Sequence, residues 1–99
     1  MTPDFSKGLV PAVVQNAETG LVLMLAYMDE EAWTKTQESG RAWFHSRTRG
    51  LWEKGATSGY AMEVVVVLLD CDLDAVLQKV RPSGPACHTG AESCFFNEV

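Results

Sequence analysis

Ninety-nine residues, 46% of them apolar, make one small domain over residues 1–99, near the lower size limit for a self-sufficient core. The formal net charge of −5 disfavours a broad nucleic-acid surface, and the apolar run Val64 to Leu69 is far too short to cross a membrane. No secretory pattern opens the chain and its three cysteines are an odd number, so the expectation is a cytoplasmic protein with reduced thiols that completes its core by dimerising.

Val10 to Gln15 and Leu21 to Tyr27 are β-prone runs joined by Asn16-Ala17-Glu18-Thr19-Gly20, turn chemistry that predicts a β-hairpin. Asp29 is placed to cap a helix whose first turn holds Glu30 and Glu31, with Ala32, Trp33 and Thr36 on one face and Gly40 as the stop. Arg41 to Ser46 returns to strand propensity, with His45 as a packing residue. Arg47 to Gly59 carries three glycines, a tryptophan and most of the positive charge, which predicts a functional loop. Met62 to Leu69 is a continuous aliphatic run, the pattern of a strand covered on both faces. Asp74 to Val80 fits another strand or a short helix, and Pro82, Gly84 and Pro85 then deliver the chain to Cys87. The class is α+β, rich in strand, with one main helix.

Asp70-Cys71-Asp72-Leu73-Asp74 follows the aliphatic run. If the strand continues, alternation puts Asp70, Asp72 and Asp74 on one face, neighbours about 7 Å apart, and turns Cys71 to the other. Three carboxylates repel one another unless a cation is present. Oxygen-only ligation suits magnesium and leaves Cys71 for a softer metal. The alternative is a strand end that becomes a solvated turn, a common setting for Asp.

Cys87 and Cys94 bracket six residues, and Gly90 permits a reversal that brings them together. Three thiols are odd for a disulfide framework and one short of a closed structural zinc site, but they match a catalytic zinc that keeps one position for water. His88 could be a fourth ligand, a hydrogen-bond donor beside the metal or a general base. Arg47, Arg49 and Lys54 form the only basic concentration and share their segment with the Thr57 and Ser58 hydroxyls and glycine amides, the groups that bind phosphate. Trp52 either stacks on a base or fills the core, and a solvated loop with fortuitous charge would look similar.

Several motifs in order extend a resemblance over nearly the whole chain. They run from Gly8-Leu9-Val10-Pro11-Ala12 and Val22-Leu23-Met24-Leu25-Ala26-Tyr27-Met28 to Ser46-Arg47-Thr48-Arg49 and Leu51-Trp52-Glu53-Lys54-Gly55-Ala56-Thr57-Ser58-Gly59. They close with Asp70 to Asp74, Gly84-Pro85-Ala86-Cys87-His88-Thr89-Gly90 and Ser93-Cys94-Phe95. Together these resemble phosphoribosyl-AMP cyclohydrolase of histidine biosynthesis. The resemblance implies an intertwined homodimer with active sites at the subunit interface. Zinc would sit on Cys71 of one subunit and Cys87 and Cys94 of the other, and magnesium on Asp70, Asp72 and Asp74. The implied reaction opens the adenine ring of 1-(5-phosphoribosyl)-AMP between N1 and C6. His88 is the implied base, and Arg47, Arg49, Trp52, Lys54, Thr57 and Ser58 would bind substrate. Three positions depart from the family pattern: the segment between Arg49 and Leu51 is one residue short, Tyr60 replaces a small polar residue, and His45 occupies an aromatic position. The alternatives are a paralogue with the same metal centre acting on another purine-like nucleotide, and a non-catalytic, zinc-stabilised dimer module.

Overall fold

The structure, a computed structural model, describes residues 1–99. In chain order the elements are β1 (Val10–Asn16), β2 (Val22–Met28), α1 (Glu30–Ser39), β3 (Trp43–Ser46), β4 (Gly50–Glu53), β5 (Met62–Leu69) and β6 (Val76–Pro82). The predicted hairpin of β1 and β2 is present, and its turn is held by Asn16, whose side-chain oxygen accepts from the amides of Glu18 and Thr19. Asp29 caps α1 by accepting from the Ala32 amide at 2.8 Å. Gly40 ends the helix at φ 70°, where its amide reaches the Thr36 carbonyl.

Four strands form one sheet in the order β2-β1-β6-β5, and β3 pairs with β4 in a separate ribbon. β1 is antiparallel to β2 but parallel to β6, while β5 and β6 form an antiparallel hairpin. The ribbon and α1 pack on one face of the sheet. There Val10, Ala12, Val14, Met28, Val76 and Val80 meet Ala32, Trp33, Phe44 and Met62 in one buried cluster. Thr36 stitches the helix to the ribbon, its hydroxyl accepting from the Trp43 amide at 3.0 Å. No helix is long and apolar enough to cross a membrane.

Three expectations need correction. Residues 47–59 are not all loop: Gly50–Glu53 form β4, which pairs residue for residue with Trp43–Ser46. Asp74 and Ala75 lie before β6, so the run from Asp74 is neither a helix nor strand from its first residue. β5 is not covered on both faces within the chain, because it is an edge strand whose Val65, Val66 and Leu68 stand exposed. The register lines Leu25, Val13, Leu77 and Leu68 into a row across the outer face of the sheet. Leu25 and Leu68 are 44% and 46% exposed, so this aliphatic row lacks a cover.

Replacing Asp29 by Ala removes the helix cap and should cost about 1 kcal/mol. Urea unfolding should then show an earlier midpoint at an unchanged slope, and an unshifted midpoint would show that the cap carries no stability.

Candidate active site

The chain leaves β5 at Leu69 and does not continue as strand. The Asp70 side chain accepts from the amides of Asp74 at 2.9 Å and Ala75 at 3.1 Å, and Leu73 takes the left-handed conformation at φ 64°. The segment is therefore the β5–β6 turn, which corrects the expected alternation of faces. The turn does more than alternation would have done. It gathers one oxygen each from Asp70, Asp72 and Asp74 within 4.8 Å of one another. Desolvation works against the Asp70 anion, but the two backbone amides outweigh it and hold this carboxyl below its ordinary range. Desolvation, the hydrogen bond with Asp70 and the charge of Asp72 push Asp74 up. Crowding that disfavours the Asp74 anion is what a divalent cation relieves, and the all-oxygen donor set fits magnesium.

Cys71 projects from the same turn, exposed, with its sulfur 3.4 Å from an Asp72 oxygen. The neighbouring carboxylates push its thiol up. The other two thiols meet elsewhere. Gly90, at φ 92°, closes a tight loop in which the Gly90 amide reaches the Cys87 carbonyl and the Cys87 amide reaches Ala91. The Ser93 hydroxyl donates to the Val22 carbonyl at 2.7 Å, and the Cys94 amide donates to Leu23 at 2.7 Å, fastening the second cysteine to β2. Each of these two thiols bears on the other's ionisation, which places them close together. The Thr89 hydroxyl, donating to Cys87 at 3.0 Å, draws that thiol below its ordinary range, aided by Cys94 and the Lys54 charge. Burial and Cys87 push Cys94 up. Two neighbouring thiols, one of them drawn toward its anion beside a cation, suit a soft metal such as zinc. His88 is exposed next to this pair.

Cys71 and the Cys87–Cys94 pair occupy opposite corners of the sheet. β2 and β5 are its two edges, and Leu23 lies at the end of β2 opposite to the end of β5 that carries the turn. Three strand spacings of about 4.8 Å and about four residues of strand rise separate them by roughly 20 Å. Zinc–sulfur bonds are about 2.3 Å, so one chain cannot close a three-thiol site.

The basic segment is also divided. Arg47 stands at the tip of the β3–β4 ribbon, where Ser46 Oγ accepts from the Arg49 amide at 2.7 Å. Arg49 lies 4.3 Å over the Trp52 ring, which packs against Phe44 at 5.2 Å. Trp52 is thus a half-buried brace for Arg49. Lys54, at the far end of the ribbon, donates from Nζ to the Ala86 carbonyl beside Cys87. Thr57 and Ser58 lie exposed in the following turn. Gly55 is required there, since a Cβ would come within 2.5 Å of the Ala61 backbone. The Tyr60 ring packs against Gly84, whose missing Cβ leaves room for it. The structure therefore brings Lys54 to the Cys87–Cys94 loop and leaves Arg47 at the opposite end. Thr89 and Ser93, which tune and anchor the cysteines, were missed in sequence, although both sit inside the cysteine motifs.

A family model described as phosphoribosyl-AMP cyclohydrolase matches residues 24–96. The chain belongs to the phosphoribosyl-AMP cyclohydrolase family. A phosphoribosyl-AMP cyclohydrolase of Listeria monocytogenes serotype 4b is 57% identical over 97 residues, covering 97% of this chain and 92% of the relative. One from Bacillus cytotoxicus is 54% identical over 100 residues, covering 100% of this chain and 99% of the relative. The β-rich domain with a single helix agrees with the resemblance to that family.

The thiol environments predict an order of reactivity in metal-free protein, because alkylation follows the thiolate fraction. Iodoacetamide at pH 8 should label Cys87 ahead of Cys71 and Cys94, read by peptide mass spectrometry. Faster labelling of Cys71 would contradict the electrostatics described.

Proposed function

We propose that the protein is a phosphoribosyl-AMP cyclohydrolase of histidine biosynthesis. It would hydrolyse the N1–C6 bond in the adenine ring of 1-(5-phosphoribosyl)-AMP, working in the cytoplasm as a homodimer. The observation that carries this is the near full-length likeness to curated phosphoribosyl-AMP cyclohydrolases. The two separated donor sets support it. Asp70, Asp72 and Asp74 would hold magnesium, while Cys71 of one subunit and Cys87 and Cys94 of its partner would hold zinc. Zinc in such a site supplies Lewis acidity that brings a water's pKa towards about 7.

The chain's own residues do the remaining work. His88, exposed beside Cys87, is positioned to accept a proton from the attacking water and to return one to N1 as that nitrogen departs. The water oxygen bonds to C6, the N1–C6 bond breaks, and C6 keeps its amino group and becomes a carboxamide. N1 remains on C2 as the formimino nitrogen bearing the phosphoribosyl group. Arg47, Arg49 and Lys54 supply charge to the phosphates, and Thr57 and Ser58 supply hydroxyls to the substrate's polar groups. Trp52 contributes by holding Arg49 in place.

Purified protein supplied with both metals should turn over phosphoribosyl-AMP, followed by product absorbance, and metal analysis should find about one zinc per chain. His88→Ala should lower kcat by a factor on the order of 100 or more with zinc content unchanged. No turnover, or native protein without zinc, would overturn the assignment.

A further inference from the structure

Beside the ribbon tip lies a cavity of about 570 Å³, lined by Lys7, Gly8, Tyr27, His45, Ser46 and Arg47 among others. It is set apart from the cysteine loop, which contacts the other end of the ribbon through Lys54. Sequence separates Lys7 from Arg47 by forty residues. The topology joins them, because the segment before β1 packs on the β5–β6 turn, with the Asp4 amide donating to the Leu73 carbonyl at 2.7 Å.

The other cations of the site region are engaged: Arg49 lies on Trp52 and Lys54 is bonded to Ala86. Lys7 and Arg47 are different. Neither has a carboxylate within ion-pair distance, although Lys7 feels the charges of Asp4 and Asp74. His45 completes the wall. Its Nδ1 is buried 3.1 Å from Asp29 Oδ2 but out of line for a hydrogen bond, so the carboxylate braces the ring while the remainder lines the cavity. Two uncommitted cations and a hydroxyl around a concave space match a phosphomonoester, which carries about −1.5 to −2 charges at neutral pH. The volume exceeds a phosphate alone, and Tyr27 offers a ring wall to an attached sugar.

We infer that this cavity seats one ribose 5-phosphate arm of the substrate, with Lys7 and His45 as binding residues alongside Arg47. The inference rests on the proposed function for its substrate. It places the phosphate at the end of the sheet that also carries the aspartate turn, with Lys7 between the two.

The test compares wild type with Lys7→Ala, Lys7→Glu and Lys7→Arg in the metal-loaded protein. Lys7 is exposed, so these variants leave the core untouched. Lys7→Ala should raise KM for phosphoribosyl-AMP about tenfold or more, as expected for losing a charged hydrogen bond, with kcat changed less than about threefold. Lys7→Arg should keep most of the affinity. Competition by AMP and by ribose 5-phosphate separates the arms: the one whose inhibition weakens in Lys7→Ala occupies the cavity. A KM within twofold of wild type in both Lys7→Ala and Lys7→Glu overturns the inference. If wild type fails to turn over phosphoribosyl-AMP, the proposed function fails. Calorimetric titration with ribose 5-phosphate and inorganic phosphate then decides the cavity alone: binding abolished in Lys7→Glu upholds a phosphate seat, and unchanged or absent binding overturns it.

Discussion

The arrangement of this molecule depends on the width and register of a four-stranded sheet. Cys94 is tied to the beginning of β2 through Leu23, and Cys71 leaves the end of β5, at the diagonally opposite corner. A separation of roughly 20 Å cannot be bridged by side chains without taking the sheet apart. The odd cysteine count thereby acquires a geometric meaning. Under the proposed function each chain would carry two incomplete halves of a zinc site, and a two-fold pairing would complete two such sites at once.

The surface that such a pairing would use is already apolar. Leu25, Val13, Leu77 and Leu68 run across the outer face of the sheet, and Phe95 and Phe96 stand exposed directly after Cys94. A chain this small buries little of its own surface, and covering that row would supply core and active site together. The two half-sites also differ electrostatically. The aspartate turn raises the Cys71 thiol, whereas Thr89 and Lys54 lower that of Cys87. The cysteine loop thus favours the thiolate at Cys87, while the aspartate turn disfavours it at Cys71.

The parts of the fold written in local chemistry were readable from sequence. Asp29 and Gly40 bound α1 through caps encoded within a few residues, and Asn16 to Gly20 announced the first hairpin. The aspartates were recognisable by type but not by geometry. Strand alternation lost to the Asp70 side chain, which takes two backbone amides and folds the segment into a turn. β4 escaped notice because it is only four residues long and opens on Gly50, so Leu51 and Trp52 make too short a pattern until β3 lies beside them. For β5, the aliphatic run reported the strand but not its edge position, which leaves Val65, Val66 and Leu68 exposed rather than covered on both faces. The pairing of Lys7 with Arg47 left no local mark, since only the packing of the N-terminal segment creates it.

The central claim is a site divided between two subunits, and subunit complementation tests it most directly. Cys71→Ser and Cys94→Ser proteins, each inactive alone, are mixed and reassorted, and the heterodimers are verified by mass. Each heterodimer would hold one site lacking both ligands and one intact site, so random reassortment should restore about one quarter of wild-type specific activity. Confirmed heterodimers as inactive as their parents would contradict a shared site.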